Sequence, residues 1–127
     1  MLNREDLDEI ATVSSYDEAG FYVNKTPIKG AIALSPHMPA QSWSRQSSGQ
    51  LTIHDIDALL AISGAQVSII LIGTGATLCW PASDITQYCH NQNIGIEVMT
   101  TPSACRTYNV LASDGASLIA GLMPLSH

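Results

Sequence analysis

The stretch "VSIILIGTGATLCWP", Val67–Pro81, decides how this chain is read. It opens as a nearly continuous apolar run, rich in β-branched residues, with no regular polar alternation. A strand of that kind is buried on both faces, as in a parallel sheet covered by helices. It then leaves through Gly73-Thr74-Gly75, which resembles the start of a phosphate-cradling loop. Its flanking elements bear on both the fold class and whether that loop holds a nucleotide.

Downstream, helical spacing predicts a helix from about Pro81 to Asn91, followed by the strand "IGIEVM" (Ile94–Met99). A further helix is expected to start near Pro102, with Thr101 as its cap and proline at its first position. Ala104, Tyr108, Leu111 and Ala112 would form its buried stripe. After the Asp114-Gly115 turn, "SLIAGLM" is the last strand. Strand, helix, strand, helix, strand is the order of a parallel sheet with crossover helices. The class is therefore α/β.

Upstream, Thr52 and Asp55 have capping-box spacing. Ile53, Ile56, Leu59 and Leu60 then recur as on one helix face, and Gly64 ends the helix. The N-terminal part reads as short strands: "ATVSSY" and "GFYVN" around an Asp17-Glu18 turn, then Thr26–Ser35 as one or two strands divided at Gly30. "PHMPAQSWSRQSSGQ" (Pro36–Gln50) reads as mostly loop with a short strand near Trp43.

The 127 residues make one domain, 1–127, with 46% hydrophobic and 13% charged residues, the composition of a globular chain. Eleven acidic against five basic residues give a net charge of -6, which argues against nucleic acid and anionic membranes as partners. No apolar run reaches the roughly 20 residues that span a bilayer. The acidic N-terminus lacks a signal core, so the expected location is the cytoplasm, with a bacterial cytosol assumed. Three cysteines without a C-x-x-C fit a reducing compartment.

A nucleotide loop does not follow. The dinucleotide fingerprint wants a third glycine where Leu78 stands, and a Walker loop wants a lysine, yet none occurs after Lys29. No cofactor and no metal set is expected. The loop still lies on the rim where the strands of a parallel sheet end and ligands bind. The predicted helix start at "TTPS" (Thr100–Ser103) shares that rim, with free N–H groups and a positive dipole end. The candidate contact surface is therefore Gly73, Thr74, Gly75, Glu97, Thr101, Ser103, Arg106, Thr107 and Asn109. Thr107 and Asn109 are expected at the surface, and Tyr108 in the core with its hydroxyl satisfied. Glu97, mid-strand, is either solvated at an edge or buried and paired. Cys105 is the one candidate nucleophile, since a helix start and Arg106 both lower a thiol pKa. Its base is missing from the spacing of the histidines.

"IGTG" (Ile72–Gly75), Pro81, "IGIEVMTTPSACRTYNVLASDG" (Ile94–Gly115), a closing Ala-Gly-Leu strand and "LSP…W" (Leu34–Trp43) resemble the Mth-domain family. That family includes the mitochondrial complex I assembly factor 3 and the adipogenesis-associated Mth-domain protein. The resemblance implies a three-layer α/β fold around a mixed, mainly parallel sheet. It implies no established catalysis, and a protein partner such as respiratory complex subunits or other assembly factors. The family pattern falls on Gly73, Thr74, Gly75, Glu97, Thr101, Ala104, Thr107, Tyr108 and Asn109. Members usually carry an arginine where this chain has Ala116. The leading expectation is a non-enzymatic protein-binding module, and Gly75→Arg is expected to leave it folded while blocking the partner. The alternatives are a small-anion or small-molecule site, with or without enzymatic chemistry, at Gly73–Gly75 and the helix start near Pro102, and a self-associating scaffold.

Overall fold

The computed structural model describes residues 10–43, 50–64 and 66–126. In chain order the strands are β1 (Val13–Tyr16), β2 (Gly20–Val23), β3 (Thr26–Lys29), β4 (Ile32–Ser35) and β5 (Met38–Ser42). Then follow α1 (Ile53–Ser63), β6 (Ile69–Gly73), α2 (Ser83–His90), β7 (Gly95–Met99), α3 (Thr101–Ser113) and β8 (Leu118–Leu122). A five-stranded sheet has the order β5-β4-β8-β6-β7, and β1-β2-β3 form a separate antiparallel sheet. β6 runs parallel to both β7 and β8, whereas β4 is antiparallel to β5 and β8. The central sheet is mixed.

Strand alternation divides the core into two layers around this sheet. Leu71, Leu118, Ala120, Leu122, Ile32 and Leu34 face α3 and the small sheet, joining Ala104, Tyr108, Val13 and Phe21. Ile70, Ile72, Ile119 and Ala33 face the other way, onto Ile56 and Leu59 of α1 and Ile85 of α2. β6 is covered on both sides, which explains its unbroken apolar run. α1 carries the expected capping box between Thr52 and Asp55, and Gly64 ends it in the left-handed region at φ 61°. Tyr88 of α2 donates a hydrogen bond to Asp57 of α1, tying the two helices on that face.

Three boundaries differ from the sequence reading. Met38–Ser42 is a strand where a loop was expected. It is the sheet's outer strand, where Pro39 loses no necessary ladder bond. α2 begins at Ser83, two residues past Pro81. α3 begins at Thr101 itself, with Thr100 at the cap position and no side-chain capping bond. The Thr101 hydroxyl has other partners.

Candidate functional site

Parallel pairing brings the ends of β6, β7 and β8 to one rim, with Gly73 opposite both Met99 and Leu122. There the chain ties a closed set of hydrogen bonds. The buried Thr101 hydroxyl accepts from the Gly75 N–H at 2.8 Å and donates to the Met123 carbonyl at 2.6 Å. The Met123 N–H donates to the Gly73 carbonyl, the Thr101 N–H to the Gly75 carbonyl and the Thr74 N–H to the Met99 carbonyl, each at 2.9 Å. The Thr74 hydroxyl donates to the Thr77 carbonyl at 2.7 Å and accepts from the Cys79 N–H at 3.3 Å. Gly73 leaves little room for a side chain here. A Cβ would lie 3.0 Å from the Thr101 Oγ1 and 3.1 Å from both Ala104 Cβ and Leu122 Cδ2.

The glycines thus have a structural explanation, and two expectations change. The start of α3 is not a row of free donors: Thr101 N–H bonds the Gly75 carbonyl, Pro102 has no N–H, and Ala104 N–H bonds the Thr100 carbonyl. Gly75→Arg is also no innocent probe. Gly75 is buried at φ 96°, a conformation costing non-glycine residues about 1–2 kcal/mol, so that variant would disturb the fold first.

The remaining predicted residues separate into frame and surface. Asn109 is not available at the surface. Its Oδ1 accepts from the Val13 N–H and its Nδ2 donates to the Val13 carbonyl, both at 2.9 Å. Tyr108 is core, as expected, and its hydroxyl donates to the Ala11 carbonyl at 2.8 Å. Together they fasten the first strand to α3. Glu97 is exposed on the edge strand β7, the solvated alternative. Arg106 is exposed and donates to the Ser103 hydroxyl at 3.3 Å, while Ser103 and Thr107 are half-buried.

Cys105 is a core thiol, 3% exposed. Burial pushes its pKa up from 9.0 to about 12, outweighing the lowering effect of Arg106. A thiol held protonated is a poor nucleophile, so the helix-start argument fails by desolvation. We expect iodoacetamide at neutral pH to label the exposed Cys79 and to spare Cys89 and Cys105 until the chain unfolds; labelling of Cys105 at the rate of Cys79, read by peptide mass spectrometry, would contradict this. The sign with pH follows. A thiol whose pKa is higher folded than unfolded contributes stability below pH 9, lost as pH rises towards 12, at up to about 1.4 kcal/mol per pH unit. Thermal melts across that window should fall less steeply for Cys105→Ala than for the wild type.

Sequence reasoning passed over two features. Leu78 and Trp80 are 43% and 67% exposed in the loop after Gly75, and "LCWP" between a buried strand and a helix was the available signal. A cleft of about 840 Å³ also opens between β3 and the β4–β5 connection, with Val23, Ile28, Pro36 and Met38 in its wall. None of the predicted site residues lines it. Its walls come from two different sheets, and no periodicity marks it.

Comparison with known proteins places these observations in a family. The model of a family described as protein of unknown function (DUF498/DUF598) matches residues 13–123. The Homo sapiens protein named NADH dehydrogenase (ubiquinone) 1 alpha subcomplex assembly factor 3 is 32% identical over 112 residues, 88% of this chain and 60% of that protein. The chain thus spans about 60% of the length of that curated relative. Among solved structures, a Xanthomonas campestris protein is 33% identical with a TM-score of 0.78, covering 98% of this chain and 92% of the other. A Bordetella pertussis protein described as a Mth938-like domain is 22% identical, has a TM-score of 0.81, and covers 99% and 93% of the two chains; it attests the fold. With the matched region running from β1 to just past β8, the chain belongs to the DUF498/DUF598 family and has the Mth938-like α/β fold.

Proposed function

We propose that this chain is a non-enzymatic protein-binding module that assists assembly of a respiratory complex of the complex I type, acting in the cytoplasm on complex subunits or other assembly factors. Kinship with complex I assembly factor 3 over 88% of the chain carries this reading. The rim geometry favours it over a small-anion or enzymatic site, because the Thr74, Gly75 and Thr101 N–H groups are bonded within the chain and Cys105 is buried. Among the described residues no helix is long and apolar enough to cross a membrane. We assign the contact surface to the rim framed by Gly73, Thr74, Gly75 and Thr101, with Glu97, Ser103, Arg106 and Thr107 as its proposed contact residues, whereas Asn109 serves the join between β1 and α3.

The test is genetic, with a biochemical readout. Deleting the gene in its host should leave complex I assembly intermediates on a native gel, and the wild-type gene should clear them. The Glu97→Arg/Arg106→Glu variant changes exposed positions only. It should fold normally and restore assembly poorly. Normal complex I in the deletion strain would contradict the proposal.

A further inference from the structure

We infer that the loop Ala76–Trp80 is a docking surface for a partner-protein segment that combines large apolar side chains with lysine or arginine. The inference rests on the protein-binding reading above and gives its partner a chemistry. Trp80 and Leu78 are among the few large apolar side chains exposed in the described structure, and Ala76, Thr77 and Cys79 between and beside them are exposed as well. A tryptophan held in water beside a leucine is the residue type that dominates binding energy at interfaces.

Hydrogen bonds hold the backbone that carries these side chains. Its stem is the Thr101 and Thr74 hydrogen-bond set, with the Thr74 hydroxyl joining Thr77 and Cys79 across the turn. At its far end the Gln50 side chain donates to the Trp80 carbonyl at 3.3 Å. An apolar surface already ordered before binding loses less conformational entropy when it is covered.

Charge selects the partner. No lysine or arginine occurs between Arg45 and Arg106, and that interval contains Asp55, Asp57, Asp84 and Glu97. Asp84 is exposed in the first turn of α2, four residues past Trp80. Asp55 closes the capping box at Thr52, two residues past the Gln50 that holds the loop. An exposed apolar loop followed by the exposed Asp84, on a chain of net charge -6, complements a segment carrying apolar and basic side chains, and it disfavours anionic phospholipid headgroups and nucleic acids. A second copy would bring the same carboxylates against each other, an arrangement that like charge opposes.

The experiment titrates the full chain into a fluorescein-labelled amphipathic peptide of leucine and lysine, read by anisotropy at about 150 mM salt. A matched leucine and glutamate peptide and phosphatidylglycerol vesicles serve as competing probes. We expect saturable binding of the lysine peptide, with affinity about tenfold lower for Leu78→Ser/Trp80→Ser and reduced for Asp84→Lys. Both variants change exposed side chains, and matching melting curves with the wild type would show that folding is intact. Equal binding by the double variant, equal binding of the glutamate peptide, or preference for vesicles would overturn the inference. So would a dimer, seen by sedimentation, that Trp80→Ser dissolves, since the surface would then be covered by a second copy. Failure here leaves the assembly reading standing, because that reading is judged by complex I in the deletion strain whatever the peptide does.

Discussion

Thr101→Val is expected to be among the most damaging single substitutions in the chain, although it is nearly isosteric. Thr101 is 0% exposed, and its hydroxyl serves the Gly75 N–H and the Met123 carbonyl at once. Valine keeps the volume and the β-branch but leaves both buried backbone groups without that partner. Each unsatisfied group costs about 1–3 kcal/mol, so the substitution should cost about 2–6 kcal/mol. For a domain of this size that is a fall in Tm of roughly 10–20 °C. Thr101→Ser keeps the hydroxyl and should lose only the contribution of a methyl group. Thermal melts of the two variants side by side isolate the hydrogen bonds from the packing. If Thr101→Val melts with Thr101→Ser, the hydroxyl does not hold the rim together.

The second large effect is expected at Gly121, the penultimate residue of β8. A Cβ there would lie 2.7 Å and 2.8 Å from two ring carbons of Trp43 and 2.9 Å from Leu59 Cδ1. Those distances are far inside the 3.5–4.0 Å of ordinary carbon contacts. Trp43 cannot easily retreat, because its ring is buried and its Nε1 donates to the Asp55 carbonyl at 3.3 Å. Gly121→Val should therefore cost about 3 kcal/mol by overpacking. Pairing it with Trp43→Leu opens space where the valine needs it. The double variant should be more stable than the sum of the two single losses, and simple additivity would show that the indole is not what excludes a side chain at Gly121.

How much of this was readable in advance depended on whether the signal was local. α1 is marked by contiguous residues, a Thr52–Asp55 box, apolar recurrence and Gly64, and it forms as they indicate. β6 announced its two-sided burial through an unbroken apolar run. β5 was hidden because Pro39 and its polar neighbours read as loop, and only its place at the sheet edge makes a proline acceptable there. The site followed the same rule. Gly73, Thr74, Gly75 and Thr101 do meet on one rim, as the parallel strand order implied. What the order could not convey was that their polar groups bond one another. Asn109 looked like a free surface amide because its partner Val13 lies 96 residues away. Cys105 looked activated because helix position and a neighbouring arginine are visible in sequence, whereas the depth of burial that overrides them is not. Trp80 escaped attention for the opposite reason: an aromatic near a buried strand reads as core until its exposure is seen.

We expect the Gly-Thr-Gly loop to be locked by the chain's own hydrogen bonds, not held open as a cradle for a ligand. Amide hydrogen exchange of the full chain, followed residue by residue by NMR with and without inorganic phosphate, tests it most directly. The amides of Thr74, Gly75, Thr101 and Met123 should exchange as slowly as those of β6 and should not shift when phosphate is added. Fast exchange at Gly75, or a saturable phosphate-dependent shift at Thr74, Gly75 and Thr101, would contradict it and restore the loop as a binding site.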